Sequence, residues 1–171
     1  MIRFWKKRFT SKIVTDNLKL DTEMIEIKKE LKSLVAKKFA RSLSIRMVDS
    51  GSCNACESEC NALSNPYYNL DRLGISFVAS PRHADVLLVS GVNTFNMNHH
   101  LIDAYNQMPS PKYVITVGDC TKLEDSVFDK TFAIAGEIDK KIPVSYHIKG
   151  CAPTPNEIMK GLLMFLKSFP K

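Results

Sequence analysis

Four of the five cysteines are spaced like ligands that separate loops could bring to one point. Cys53 and Cys56 form a close pair, whereas Cys120 and Cys151 are isolated from each other and from that pair. The glycines that precede three of these cysteines by one or two residues are Gly51, Gly118 and Gly150. Glycine lets the backbone approach a bulky inorganic group. Because four convergent thiolates are the usual ligands of one [4Fe–4S] cluster, the spacing predicts a site for such a cluster.

Other uses of these cysteines stay open on spacing alone. A Cys-x-x-Cys pair also occurs in redox-active dithiols, but a dithiol leaves Cys120 and Cys151 unexplained. Zinc would accept four thiolates in tetrahedral geometry, and ordinary buried cysteines are a third interpretation. The fifth cysteine, Cys60, would share a helix face with Cys56. We expect it to be a buried apolar thiol, with an alternative ligand as the other interpretation.

Composition and charge limit the class of protein. The chain has 171 residues, of which 44% are hydrophobic, which suits one domain with its own core. It has neither the apolar stretch of a signal peptide nor a run of about 18 apolar residues that could span a membrane. We therefore expect a cytoplasmic location, where clustered cysteines favour metal over disulfides. The excess positive charge lies in residues 1–46, which argues against a basic nucleic-acid-binding domain and predicts no nucleic-acid partner.

The N-terminal quarter differs in residue composition from the rest of the chain. Aromatic and basic residues are mixed near the start, which predicts a basic arm that faces acidic lipid headgroups or an acidic partner, with a solvated, partly disordered tail as the alternative. Residues 21–41 predict an amphipathic helix. Its apolar residues are Leu20, Met24, Ile27, Leu31 and Leu34. The helix could pack on the protein's own core or lie on a partner or bilayer, and a partner contact is the preferred interpretation. The predicted division is a basic helical arm at 1–43 and an α/β domain at 44–171.

Strands alternate with helices from residue 44 onwards. The predicted strands are 44–49, 75–79, 84–90, 113–117 and 143–148, and the predicted helices between and after them are 56–64, 97–107 and 156–168. This alternation predicts a three-layer, doubly wound α/β fold of the flavodoxin-like type, with a mostly parallel sheet. Sites in such folds form beyond the carboxyl ends of the strands. Cys53, Cys120 and Cys151 each follow a predicted strand, so the fold would bring them together.

Four sequence motifs resemble those of a known family. They are residues 51–59, 80–91, 107–120 and 142–155. In this order they resemble the small iron–sulfur subunit of membrane-bound group 4 [NiFe] hydrogenases, of the formate hydrogenlyase or energy-converting type. They are also similar to the 20-kDa cluster-bearing subunit of respiratory complex I. The resemblance covers about residues 44–168, and the Cys53–Cys56 spacing is the hydrogenase-like one.

The resemblance implies a function and a set of partners. Cys53, Cys56, Cys120 and Cys151 would ligate one [4Fe–4S] cluster, which relays electrons to or from a large subunit. The chain would be an oxidoreductase component that is not catalytic alone. Its expected partners are a hydrogenase-like large subunit, a ferredoxin-like iron–sulfur subunit and a membrane-arm subunit, at the cytoplasmic face of the cell membrane. The alternatives are a complex-I-like quinone-reducing subunit and a zinc-bound or metal-free structural module.

Two charged residues are candidates for a place around the cluster. Glu59 matches the acidic residue that follows the second ligand in the family, and it could relay protons coupled to electron transfer. A helix-capping carboxylate is its alternative. Arg82 also matches a family motif, and a cation near a cluster would raise its reduction potential. The neighbouring His83 could equally be a surface residue.

Overall fold

The computed structural model describes residues 5–6, 21–40, 42–123, 128 and 131–169. Its centre is a parallel five-stranded sheet. The strands are β1 (Leu43–Asp49), β2 (Ile75–Phe77), β3 (Val86–Ser90), β4 (Tyr113–Val117) and β5 (Tyr146–Ile148). Their order across the sheet is β2-β1-β3-β4-β5. The α-helices of the long described segments are α1 (Thr22–Lys38), α2 (Ala55–Ala62), α3 (Phe95–Gln107) and α4 (Pro155–Ser168). Together these elements confirm the predicted flavodoxin-like α/β fold.

The strand order reverses direction between β1 and β3. The chain moves from β1 outward to β2, then crosses back to place β3 on the other side of β1. Asp49 at the end of β1 pairs in register with Ser90 at the end of β3. The loops that follow these two strands therefore begin at adjacent points, at the switch point where doubly wound folds form a site.

Two hydrophobic cores cover the two faces of the sheet. One core joins α1, α2 and α4 to side chains such as Ile45, Leu88 and Ile115. The other joins α3 and the segment around Ile138 to side chains such as Leu87. Because successive strand residues point to opposite faces, Leu87 and Leu88 serve different cores. This explains why β3 is buried along its whole length.

The structure corrects the preferred interpretation of the amphipathic helix. Its buried residues are Met24, Ile27, Leu31 and Val35, and all four belong to the core that it shares with α2 and α4. The prediction that this apolar face meets a partner is therefore wrong, because the face is occupied by the chain's own core. The predicted basic arm before residue 21 lies almost wholly outside the described residues. Within the described part of the chain, we find no helix long and apolar enough to span a membrane.

Candidate metal centre

The loop after β1 is tied to the loop after β3. The Ser50 hydroxyl donates to the carbonyl oxygen of Ser90 at 2.7 Å. The Val92 amide donates to the Gly51 carbonyl at 3.1 Å. These bonds fix the backbone that leads into Cys53, which is exposed at the carboxyl end of the sheet.

Helix α2 begins directly after Cys53 and presents two cysteines on its buried face. Asn54 precedes the helix in a left-handed conformation, so the chain turns sharply between Cys53 and Cys56. Cys56 and Cys60 are the two buried residues of this helix. Their spacing of four residues places them one turn apart on the same face.

The loops that carry Cys120 and Cys151 are joined by reciprocal hydrogen bonds. The Gly150 amide donates to Asp119 Oδ1 at 2.9 Å, and the Asp119 amide donates to the Gly150 carbonyl at 3.0 Å. Cys120 lies in the short 3₁₀ helix Asp119–Lys122 that follows β4, and Cys151 follows β5. The two isolated cysteines of the sequence are thus held side by side by their neighbours.

Gly118 is the point where these loops meet Cys56. A Cβ atom at this glycine would lie 2.7 Å from Cys56 Sγ and 3.7 Å from Cys120 Sγ. Its φ of +93° is also a conformation that L side chains rarely adopt. A side chain at this position would therefore collide with the thiol of Cys56, and the glycine leaves room for the sulfur atoms.

The thiols interact electrostatically as one group. The pKa of Cys56 is raised to about 12, first by burial and then by the nearby Cys120, Glu57, Cys53 and Cys151. The pKa of Cys120 is also raised, first by burial and then by Cys151 and Cys53, although the backbone amides of Cys120 itself and of Gly91 oppose this. The neighbouring cysteines therefore disfavour the thiolate forms of Cys56 and Cys120, and a positive charge bound between the sulfur atoms would favour those forms.

The four predicted ligand cysteines lie in one neighbourhood at the carboxyl edge of the sheet. They are Cys53, Cys56, Cys120 and Cys151. Across the described segments, no three His, Cys, Asp or Glu side chains are arranged to hold one common metal ion.

Cys60 lies apart from the exposed edge. It has 0% exposure and belongs to the core that covers α2. Burial is the first cause that raises its pKa to about 12, followed by the nearby Cys56. The prediction that Cys60 is buried is confirmed, and its absence from the ligand set stays a prediction.

Glu57 lies beside the candidate metal centre, and the sequence motifs did not identify this residue as a candidate. The Ser90 hydroxyl, at the end of β3, donates to Glu57 Oε1. Among the described residues, Glu57 Oε2 is buried and has no hydrogen-bond partner. In the sequence, only its position directly after Cys56 points to it, because the contact with Ser90 depends on the fold.

Glu59 and Arg82 occupy less central positions. Glu59 is half-buried on α2, where its charge acts on Cys60. Arg82 is exposed in the turn Pro81–His83, before the amino end of β3, whereas the cysteine loops follow the carboxyl ends. Their roles around a cluster stay predictions, and His83 is exposed beside Arg82.

The fold and the site together define a class of protein. It is a flavodoxin-like α/β protein that gathers four thiols at the carboxyl edge of a parallel sheet, next to the switch point between β1 and β3. Residues 53–165 match the family described as NADH ubiquinone oxidoreductase, 20 Kd subunit. The chain belongs to this family, which confirms the resemblance found in the sequence.

Individual relatives come from hydrogenases and from quinone oxidoreductases. Formate hydrogenlyase subunit 7 of Escherichia coli is 38% identical over 80% of this chain, and the chain spans about half (53%) of that relative's length. The probable membrane-bound hydrogenase subunit mbhJ of Pyrococcus furiosus is 36% identical over 88% of this chain and 89% of its own. A subunit of the NADH-quinone oxidoreductase of Amoebophilus asiaticus is 37% identical over 63% of this chain and 68% of its own.

One solved structure has the same fold. It is a chain from the membrane-bound sulfane sulfur reductase, an archaeal respiratory membrane complex. The two structures match with a TM-score of 0.66 and 31% sequence identity, over 81% of this chain and 75% of the other.

Proposed function

We propose that this chain is the electron-transfer subunit of a membrane-associated, hydrogenase-like oxidoreductase complex. In this proposal Cys53, Cys56, Cys120 and Cys151 hold one [4Fe–4S] cluster. The chain exchanges electrons with a hydrogenase-like large subunit and a ferredoxin-like iron–sulfur subunit. It lies peripherally at the cytoplasmic face of the membrane, next to a membrane-arm subunit.

The observation that carries the proposal is the arrangement of thiols around Gly118. The absence of a side chain there leaves space against Cys56 Sγ and Cys120 Sγ, and the loops after β1 and β5 deliver the two remaining thiols to the same edge. Four cysteines that approach one point from separate loops suit a cofactor with an iron atom for each to bind. The donor set and the open backbone therefore fit a cluster.

The chain's own residues would hold and tune this centre. When bound, the cluster supplies reversible transfer of single electrons. The backbone amides of Cys120 and Gly91 act to lower the pKa of Cys120, and donors to sulfur are among the factors that set a cluster's potential. The exposure of Cys53 and Cys151 leaves one side of the centre open to a partner, while the sheet closes the other.

The hydrogenase-like branch is favoured by the relatives and by the first motif. Both hydrogenase relatives align over at least 80% of this chain, whereas the quinone oxidoreductase relative aligns over 63%. This supports proton reduction or hydrogen oxidation in the large subunit. Quinone reduction is the second candidate, because that relative is about as similar where it aligns.

The first test is the metal content of the native complex, isolated anaerobically through this subunit. We expect iron together with nickel. Iron without nickel would contradict the hydrogenase assignment and favour the quinone candidate. Zinc, or no metal, would contradict the cluster and leave the structural module.

A second test identifies the ligands by substitution in the full chain within that complex. We expect Cys120→Ser and Cys151→Ser to lose the [4Fe–4S] spectrum measured by electron paramagnetic resonance after reduction. The matched controls, Cys60→Ser and Cys60→Ala, should keep it, because Cys60 faces the core. A normal spectrum in either ligand variant, or its loss in both controls, would show that the ligand set is wrong.

A further inference from the structure

A basic surface lies beside the outer strand of the sheet, away from the cysteines. It consists of Lys28 and Lys32 on α1, Tyr67 in the loop after α2, and Arg72 in the 3₁₀ helix Leu70–Leu73. This 3₁₀ helix directly precedes the amino end of β2, whereas the cysteine loops follow carboxyl ends. The basic surface is thus separate from the candidate metal centre.

The cations of the basic surface form no ion pair within the described residues, although the exposed Asp71 lies near Lys32 and Arg72. The acidic residues of α1 that form ion pairs face α4: Glu23 bonds Lys160 at 2.6 Å and Glu30 bonds Lys167 at 2.8 Å. No carboxylate in the described ranges lies within salt-bridge distance of Lys28, Lys32 or Arg72. The helix therefore keeps its paired charges on one flank and its unpaired cations on the other.

An exposed aromatic ring stands among these cations. Tyr67 is 65% exposed. Lys28 Nζ lies 5.3 Å from the centroid of the Tyr67 ring. Lys28 also donates to the Tyr67 carbonyl at 2.8 Å, which holds the two side by side. A hollow of about 260 Å³ opens between Lys28, Lys32, Tyr67 and Arg72.

We propose that the basic surface contacts the anionic headgroups of a lipid bilayer. Lysine and arginine near a membrane are attracted by its negative surface potential. A tyrosine with one apolar and one polar end is suited to headgroup depth, which an acidic protein partner would not require. The inference rests on the proposed function only for the presence of a membrane beside the protein.

The geometry gives this contact a consequence for orientation. If the basic surface faces the bilayer, the carboxyl edge of the sheet, which carries the cysteines, points away from the bilayer. The cysteine side is then free for a protein partner, so the two surfaces do not compete.

The test is binding of the full chain, purified anaerobically, to vesicles of phosphatidylglycerol and phosphatidylcholine, measured by co-sedimentation. We expect Lys32→Ala combined with Arg72→Ala to weaken binding about 25-fold, since each basic residue near an anionic surface contributes about fivefold. Tyr67→Ala should weaken it severalfold. The matched control, Lys140→Ala with Lys141→Ala, removes two exposed cations outside the basic surface and should bind like the original chain.

Several results would overturn the proposal. They are equal binding to pure phosphatidylcholine vesicles, no binding to either kind of vesicle, unchanged binding of the Lys32/Arg72 variant, and an equal loss in the control. Release by inorganic phosphate, at matched ionic strength, would point to a site for free anions instead. If the Lys32/Arg72 variant still binds vesicles but no longer binds an acidic protein of the complex, the basic surface contacts that protein and not lipid.

Iron is measured in the same samples to separate this inference from the cluster. A variant that keeps its iron and loses the vesicles supports the lipid contact. A chain that binds vesicles through this surface but never holds iron would refute the proposed cluster and leave the lipid contact standing.

Discussion

Exposure divides the thiols into groups with different chemistry. Cys53 and Cys151 are exposed, Cys120 is half-buried, and Cys56 and Cys60 are buried. Since the thiolate is the reactive form, a raised pKa and lack of access both suppress reaction. Cys60 combines the two effects without belonging to the open edge of the site.

Alkylation of the metal-free full chain should follow this division. At pH 8 we expect iodoacetamide to modify Cys53 and Cys151 first and Cys60 only after unfolding. A thiol with a pKa of about 12 has very little thiolate at that pH. Peptide mass spectrometry after timed quenching measures the order. Modification of Cys60 as fast as Cys53 would contradict its position in the core.

The substitution Gly118→Ala should damage the site through two effects. Its φ of +93° strains any side chain, and the new Cβ would press on Cys56 Sγ. We expect most of the bound iron to be lost, with a fall in the free energy of unfolding of more than about 1 kcal/mol. Iron content per chain and urea denaturation measure the two results.

Gly136→Ala is the control for that substitution. Gly136 has a similar φ of +109°, but a Cβ there meets nothing within 4 Å. It should show the cost of strain while it keeps its iron. If both variants keep their iron, the collision with Cys56 has no part in the site.

Among the described helices, α4 has the most complete N-terminal cap. The Thr154 hydroxyl accepts from the Glu157 amide, and Glu157 Oε2 accepts from the Thr154 amide at 2.7 Å. This capping box satisfies backbone donors that the first turn cannot pair. The pKa of Glu157 is lowered, first by the backbone hydrogen bond from Thr154 and then by its hydroxyl.

Removal of the cap should destabilise the protein in a pH-dependent way. We expect Thr154→Ala to lower the free energy of unfolding by about 1 kcal/mol at pH 7. A carboxylate whose pKa is lowered on folding stabilises above its ordinary pKa of 4.5, and this contribution is lost as the pH falls below it. The variant loses the hydroxyl bond to Glu157 but keeps the backbone bond, so the part of the difference that comes from the hydroxyl should shrink in acid. Urea denaturation at several pH values measures it, and a constant difference would contradict the role of Glu157.

At the scale of the whole molecule, α1 is part of the folded unit. Leu31 and Val35 have no exposed surface, and they pack in the core that also holds the inner faces of α2 and α4. Lys38 at the end of α1 donates to the carbonyl oxygens of Leu166 and Phe169 at 2.8 Å each, which ties it to the end of α4. The first and last helices of the long described segments therefore close the same face of the sheet.

Damage to α1 should consequently weaken the whole protein. We expect Leu31→Ala to lower the free energy of unfolding by about 2–5 kcal/mol, because it leaves a cavity in the main core. Circular dichroism and tyrosine fluorescence should report one shared transition at lower denaturant. Ser33→Ala, on the exposed side of the same helix, is the control and should change little. An early loss of helix signal with an unchanged sheet transition would show that α1 is a separate arm.

Local pattern determined most of the secondary structure and the identity of the grouped thiols. The strand predicted at 113–117 has the same bounds in the structure, because a short apolar run between turn residues has few other solutions. The predicted last strand begins too early: the observed strand starts at Tyr146, three residues after Pro143, whose missing N–H cannot donate to a sheet. The convergence of three cysteine loops followed from the predicted parallel direction of the strands, since parallel strands end at one edge.

Tertiary structure decided the features that depend on what lies opposite a residue. The amphipathic pattern of α1 fixes which side is apolar, but only packing against α4 and the sheet shows that the chain's own core covers it. Likewise, Glu57 and Glu59 are both acidic residues after Cys56, and only the fold places Ser90 beside Glu57. Periodicity is a local property of the chain, whereas burial and partnership depend on residues distant in sequence.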